Sequence, residues 1–244
     1  MKKSLIILLL ATVSLSAFAV DLPKQGFGFQ IGYARPTLRL NSSSAYYPKD
    51  SLVNVTALNG FKAGVVYDAS YIAGFGSSIG VNYTFAAGQT SWGKQNSAQI
   101  GEYPRARKTI TYHELEVFVD WQYKFEVAKE TYLMLYTGPT VQLGLAYNAK
   151  TYSQQLPDAE VNYDVYYRMG NNDVDRPNEN LNRFNVTWGI GAGFQYQRYF
   201  LRGGYDFGLM NPYKNRQFDG SDRYTRGRLD QWSIKIGAYL WYNE

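Results

Sequence analysis

The sequence predicts an all-β chain that closes into an eight-stranded antiparallel up-and-down transmembrane β-barrel, with four long outer loops and three short periplasmic turns. Three observations carry this. Bulky apolar residues alternate with small or polar ones at period two over eight segments. The connections between segments alternate between short and long. The polar face of the alternation is rich in glycine, which is useful inside a narrow barrel and has no purpose on a wetted exterior.

The segments follow in chain order. Strand one covers about 26–40, with Phe27, Phe29, Ile31 and Tyr33 on one face. Pro36 removes a ladder donor and suggests a bulge near its upper end. Strand two, about 58–69, sets Phe61, Ala63, Val65 and Tyr67 against Lys62, Gly64, Val66 and Asp68, and strand three, about 76–86, sets Ile79, Val81, Tyr83 and Phe85 against Gly80, Asn82 and Thr84. Strand four, about 108–125, sets Leu115, Val117, Val119, Trp121 and Tyr123 against Glu114, Glu116, Phe118, Asp120, Gln122 and Lys124. Strand five covers about 131–147. Strand six, about 183–198, sets Trp188, Ile190, Ala192 and Phe194 against Gly189, Gly191 and Gly193. Strand seven covers about 200–209. Strand eight, about 228–242, sets Trp232, Ile234, Ile236, Leu240 and Tyr242 against Lys235, Gly237, Tyr239 and Trp241.

Connections after strands two, four and six are short, near Ser70–Phe75, Glu126–Glu130 and Arg198–Tyr199. Those after strands one, three, five and seven are long: about 41–57, 87–107, 148–182 and 210–227. Transmembrane barrels place short turns in the periplasm and long loops outside. Within the third loop, "VNYDVYY" has strand character and could extend strand five or six above the membrane.

Residue type decides which face is inside. The polar face holds Lys62, Asp68, Glu114, Glu116, Asp120, Lys124, Arg202, Asp206 and Lys235 beside many glycines. An eight-stranded barrel is just wide enough for side chains to fill it. Bulky charged groups on some strands then need glycine opposite, and the charges pair in the lumen as buried charges must. Gly189, Gly191 and Gly193 are expected to make room for side chains such as Arg202, Glu116 or Lys235. The apolar face meets lipid. Tyr33, Tyr67, Tyr83, Trp121, Tyr123, Tyr147, Trp188, Tyr196, Tyr205 and Tyr242 fall on it, several near strand ends where aromatic girdles anchor a barrel.

The start of the chain sets the compartment. "MKKSLIILLLATVSLSAFA" has basic Lys2 and Lys3, an apolar run, and small Ala17 and Ala19 at an A-x-A cleavage site. Residues 1–19 therefore read as a cleaved secretory signal, leaving 20–244 as the barrel. After it, no apolar run is long enough for a membrane-spanning helix. The formal charge of +5 falls to about +3 without Lys2 and Lys3. Acids and bases are interspersed rather than gathered on one face, which excludes nucleic acid as a partner. There is no cysteine, so no disulfide framework.

Together the leader, the strand rhythm and the outward aromatics resemble small bacterial outer-membrane barrels of the OmpA/OmpX/OmpW type. The Tyr- and Gly-rich style is most similar to the outer-membrane β-barrel domain family that includes PorT-like proteins. The resemblance covers the whole mature chain, through pattern more than through one motif. One motif is sharper. In "KIGAYLWY", Lys235, Gly237, Leu240 and Tyr242 resemble the C-terminal signal read by the barrel-assembly machinery, although Asn243 and Glu244 follow the aromatic. The resemblance implies an outer-membrane location, outer-membrane lipid and that machinery as partners, and for PorT-like relatives a place in a secretion or transport machine.

Chemistry is sparse. His113 is the single histidine. The resemblance to lipid-modifying barrels would pair it with Ser, Glu or Asp. Glu114 is adjacent to it and Glu116 faces the opposite way, and nothing places Asp50 or Ser51 beside it. No Cys/His cluster offers a metal site, and the acids of 156–179 lack the spacing of a calcium loop. The expectation is no enzyme, no cofactor and a monomer. Its packed lumen argues against diffusion, and its long loops are expected to bind a protein or glycan ligand. A secretion-machine role and lipid modification are the alternatives. If the leader is removed as read, the mature protein begins at Val20; N-terminal sequencing that finds Met1 on the membrane-inserted protein would overturn that reading.

Overall fold

The computed structural model describes residues 25–40, 57–72, 74–89, 106–153, 161–164, 182–212 and 227–243. The leader with Ala17 and Ala19, and most of the four long connections, lie outside the described residues. Among the described residues the strands are β1 (Gln25–Leu40), β2 (Asn59–Ile72), β3 (Phe75–Gln89), β4 (Ala106–Ala128), β5 (Thr131–Ser153), β6 (Val161–Asp164), β7 (Phe184–Tyr196), β8 (Tyr199–Gly208) and β9 (Gly227–Asn243).

Eight of them close a ring. Each pairs antiparallel with its chain neighbours, β5 pairs with β7, and β9 returns to β1 to seal the barrel. Closure leaves no open edge within the wall, which is the condition for spanning lipid without helices. The short strand β6 stands apart. It pairs only with the outer end of β5, from Asn148↔Asp164 to Thr151↔Val161. The sequence assigned 148–182 to a loop, but β4 and β5 stay paired out to Ala106↔Ser153, while β7 leaves β5 at Leu143↔Phe184. The edge of β5 that β7 vacates would be unpaired there, and β6 covers part of it.

The three short connections are two residues each, at 73–74, 129–130 and 197–198. Gly74 takes φ +85°, the left-handed conformation that glycine adopts at no steric cost. Glu130 and Gln197 also take positive φ, 59° and 52°, which costs a residue with a Cβ. The two turns are tied together at these residues. The Gln197 backbone N–H donates to the Glu130 carbonyl at 2.9 Å, and Gln197 Nε2 donates to the Glu130 carboxylate at 2.8 Å.

Four register faults shape the wall. One sits at Leu240, where Phe27 pairs with Trp241 but Gly28 pairs with Tyr239. The extra residue reverses the parity of the last turn of β9. Trp241 therefore faces out, and Tyr242 turns in and stacks on Tyr239 with centroids 5.3 Å apart. The sequence reading had these two reversed. A second bulge at Leu145 turns Tyr147 inward, also against expectation, where it meets Tyr112 edge-on. The others fall beside the short turns, at Ser70/Ile72 and Glu126/Ala128. Pro36 makes no bulge: the β1–β9 register passes through Pro36↔Gln231 unshifted. The Pro36 carbonyl accepts from Leu58 N, so its missing N–H lies on the β2 side, where the continuous β1–β2 ladder has already ended at Ala34↔Gly60.

The core lies inside the ring. The outward residues, including Phe29, Ile31, Ile190 and Ile236, are exposed and suit a lipid surrounding. Inside, aromatics lie over glycines directly paired with them. Tyr136 pairs with Gly191, which pairs with Gly204. A Cβ on Gly191 would stand 2.2 Å from the Tyr136 ring, and one on Gly204 would stand 2.8 Å from its hydroxyl. Phe200 lies over Gly237 in the same way, at 2.2 Å. The glycines of β7 thus serve Tyr136, Met134 and Asp206, with Arg202 a lesser neighbour of Gly193; Glu116 and Lys235 are not among their near contacts. Gly191→Leu should therefore block assembly, measured as loss of the heat-modifiable folded band. Tyr136→Ala in the same chain should restore part of it. A folded Gly191→Leu single variant would contradict this packing.

Candidate functional site

The lumen is the one place where the described residues gather many charges. Two carboxylates organise it. Asp68 of β2 sits toward the periplasmic end. It accepts from Arg202 Nη2 at 2.9 and 2.7 Å, from Lys124 Nζ at 3.3 Å, and from the Tyr239 hydroxyl. Arg202 also donates to Ser78 at 2.8 Å and Gln122 at 3.2 Å. Its guanidinium lies over the rings of Phe200 and Tyr136, at 5.3 and 5.7 Å. Lys124 reaches on to Gln195 at 3.0 Å.

Glu116 of β4 is the second centre. Lys62 Nζ approaches its two oxygens at 2.8 and 2.7 Å. Asn82 donates to it at 2.6 Å and Gln231 at 3.2 Å. Gln30 donates in turn to Asn82 at 2.7 Å. Glu114, nearer the outer end, accepts from the Tyr112 hydroxyl.

Of the charges singled out in the sequence, Lys62, Asp68, Glu116, Lys124 and Arg202 are brought into direct contact. Asp120 and Lys235 are buried and Asp206 is half-buried, but none of their side chains makes a hydrogen bond to a described residue. Lys235 lies 5.2 Å from the Phe118 ring centroid, and Asp206 lies against Gly189. Uncharged partners escaped the sequence reading as members of the network. Ser78, Gln122, Gln195, Gln231 and Tyr239 were readable only as polar or inward. Which ones meet depends on the stagger of strands around the ring.

Two apolar clusters lie beside the polar centres in the lumen. Toward the periplasm, Val66, Phe118, Met134, Phe200 and Tyr239 pack together, with Tyr242 against them. Toward the outer end, Leu58, Ala86, Ile110, Tyr112 and Tyr147 do the same, flanked by Leu38 and Leu229. Tyr147 joins the outer cluster because the bulge at Leu145 turns it inward.

Of the assembly motif, Lys235 and Gly237 face the lumen, Leu240 is the bulged residue and is exposed, and Tyr242 packs inward. His113 faces the outside. Its Nδ1 shares a 2.6 Å hydrogen bond with the Tyr83 hydroxyl, and Phe85 packs edge-on to its ring. Glu114 and Glu116 are on the other side of the wall. Asp50 and Ser51 lie outside the described residues.

Residues 25–214 match the family described as the outer membrane protein beta-barrel domain. The chain belongs to this family. Its place is the bacterial outer membrane. The solved structures it is similar to include Ail of Yersinia pestis in complex with the heparin analogue sucrose octasulfate, at 12% identity and TM-score 0.38, covering 89% of this chain and 99% of that one. Neisserial surface protein A is another, at 11% and 0.40, covering 88% and 97%. A third is the N-terminal β-barrel domain of Pseudomonas aeruginosa OprF, at 10% and 0.30, covering 88% and 98%. A comparison with curated proteins found no match.

Removing one partner of a buried ion pair leaves the other charge uncompensated. Arg202→Met should therefore destabilise the barrel by roughly 3–5 kcal/mol, read by urea unfolding in lipid vesicles. Adding Asp68→Asn should recover part of that loss. A single variant as stable as wild type would refute the central place given to Arg202.

Proposed function

We propose that the protein is a surface-interaction barrel that binds a protein or glycan through its outer loops, with the closed lumen as a rigid support. The observation that carries this is the filling of the lumen. Two polar centres and two apolar clusters occupy it from end to end. A barrel of this size that is filled by side chains leaves little path for solutes. The function must then lie on a surface.

The outer end supports the reading. Residues 144–153 of β5 continue past its last pair with β7, about 34 Å of extended chain. With β4 beside it and β6 on its other edge, this forms a ribbon projecting from the outer rim. The connecting sequences, 41–57, 87–107, 148–182 and 210–227, carry repeated Tyr, Asn and Ser. That is the chemistry of adaptable recognition loops, where Tyr supplies rigid contact area and Asn and Ser supply hydrogen bonds. The leader and the β9 motif fit export and handover to the barrel-assembly machinery. A monomer needs no further partner for closure.

The test replaces residues 154–181 with a short Gly-Ser turn. The variant should keep a heat-modifiable barrel and lose binding of intact cells to arrays of purified glycans and extracellular proteins. Planar-bilayer recordings of the wild type should show no large stable conductance. Unchanged binding after loop replacement, a large steady pore, or a deletion strain whose defect is loss of secreted cargo would each count against the proposal.

A further inference from the structure

The outer wall carries charge in one place. Among the outward-facing strand residues whose side chains are described, the Asp, Glu, Lys and Arg residues are Arg35, Arg39, Arg228 and Asp230. All four fall on the outer ends of β1 and β9, in the consecutive same-face pairs Arg35↔Trp232, Thr37↔Asp230 and Arg39↔Arg228. Three guanidiniums against one carboxylate leave an excess of two positive charges.

The cluster is built rather than scattered. Asp230 is fully buried although it lies on the outward face, because the side chains around it cover it. Arg39 Nε and Arg228 Nε each approach its Oδ2 at 3.0 Å. Tyr205 donates to the same oxygen at 2.9 Å and receives Arg39 Nη2 at 3.1 Å. Gly208 N donates to the other oxygen at 3.0 Å. The carboxylate is thus saturated and holds two exposed guanidiniums by their inner nitrogens. The outer Nη atoms of Arg228 have no partner among the described residues.

Like charges directly opposite on a sheet are unfavourable. Arg39 and Arg228 are such a pair, and Asp230 offsets only one of the three charges here. An anion at the surface would offset the rest. The height of the cluster decides which anion it would meet. Immediately below it, Tyr33 and Trp232 pack with centroids 5.0 Å apart, as girdle aromatics do at the interface. Below them the outward faces of β1 and β9 are apolar, with Phe29, Ile31, Ile234 and Ile236. The arginines therefore stand at the level of the outer-leaflet headgroups.

We propose that the outer ends of β1 and β9 form a binding site for the phosphorylated headgroup of an outer-leaflet lipid, held by Arg35, Arg39 and Arg228. Guanidinium groups match phosphate oxygens bidentately. Asp230 is the positioning residue that aims two of them outward. This site is on the wall and is independent of the loop-borne binding proposed above.

The experiment uses the full mature barrel in phosphatidylcholine nanodiscs, with fluorescent diphosphorylated lipid A as probe. Wild type should bind it, and should bind dephosphorylated lipid A much more weakly. A basic residue near an anionic surface contributes about fivefold in affinity, so Arg35→Gln, which leaves the Asp230 contacts intact, should weaken binding about fivefold. The combination R39Q/R228Q/R35Q/D230N removes two net charges without stranding the carboxylate, and should weaken it roughly 25-fold while the folded band stays heat-modifiable. Equal binding of phosphorylated and dephosphorylated lipid A would overturn the proposal. So would wild-type affinity in the folded quadruple variant. Complete displacement of the lipid by millimolar inorganic phosphate would assign the site to a soluble anion instead.

Discussion

Arg202 spans the barrel. It starts on β8 and reaches Asp68 on β2, Gln122 on β4 and Ser78 on β3. In the eight-membered ring β3 stands four strands from β8, diametrically opposite. Gln231 of β9 and Glu116 of β4 make a second diametric link. A closed ladder alone fixes each strand only to its neighbours. These cross-lumen bonds fix strands that never touch, and the rest of the interior is arranged to let them form. Tyr136 and Phe200 flank the guanidinium, and each needs a glycine beneath it. The run Gly189, Gly191, Gly193 is the imprint on β7 of what its neighbours carry inward.

Such a core is electrostatically demanding. Breaking one member of a buried charge pair costs more than the pair itself contributes. The gain lies elsewhere. A lumen filled with apolar residues would present two apolar faces on every strand, and the strand would lose the alternation that tells inside from outside. Polar centres restore that distinction. They also make the register specific, because a slip would carry Asp68 and Glu116 to the lipid face.

Much of this was legible in the sequence, and the limits have a physical pattern. Period-two alternation located the eight wall strands within about three residues, except at the outer end of β5, which runs on to Ser153, since each face within the wall meets one kind of surroundings. Glycine on the polar face told inside from outside. The errors sit where one extra residue flips parity. Leu240 and Leu145 look like any outward leucine, and Trp241, Tyr242 and Tyr147 are aromatics that suit either side. Nothing in residue type marks the bulge, so Tyr242 and Tyr147 were placed outside. Pro36 misled in the opposite sense, because its harm depends on which neighbour its N–H would have met. The pairing across the lumen was beyond reach for a related reason. It follows from the stagger between distant strands, and stagger is a property of the closed ring rather than of any segment.

The same reasoning bears on where function can reside. The interior is committed to holding the ring together, and Lys62, Asp68, Glu116, Lys124 and Arg202 are engaged there in ion pairs. The middle of the wall is committed to lipid. What remains is the outer end, and there the rules relax. Strands β4, β5 and β6 run on past the ring, and a buried aspartate appears on the outward face under two arginines. A carboxylate in that position would be a liability at mid-membrane depth. At the rim it becomes a device for ordering cations toward the headgroups. Departures from the barrel's own pattern are thus concentrated at one end, and that concentration is what both the proposed loop binding and the proposed headgroup site rest on.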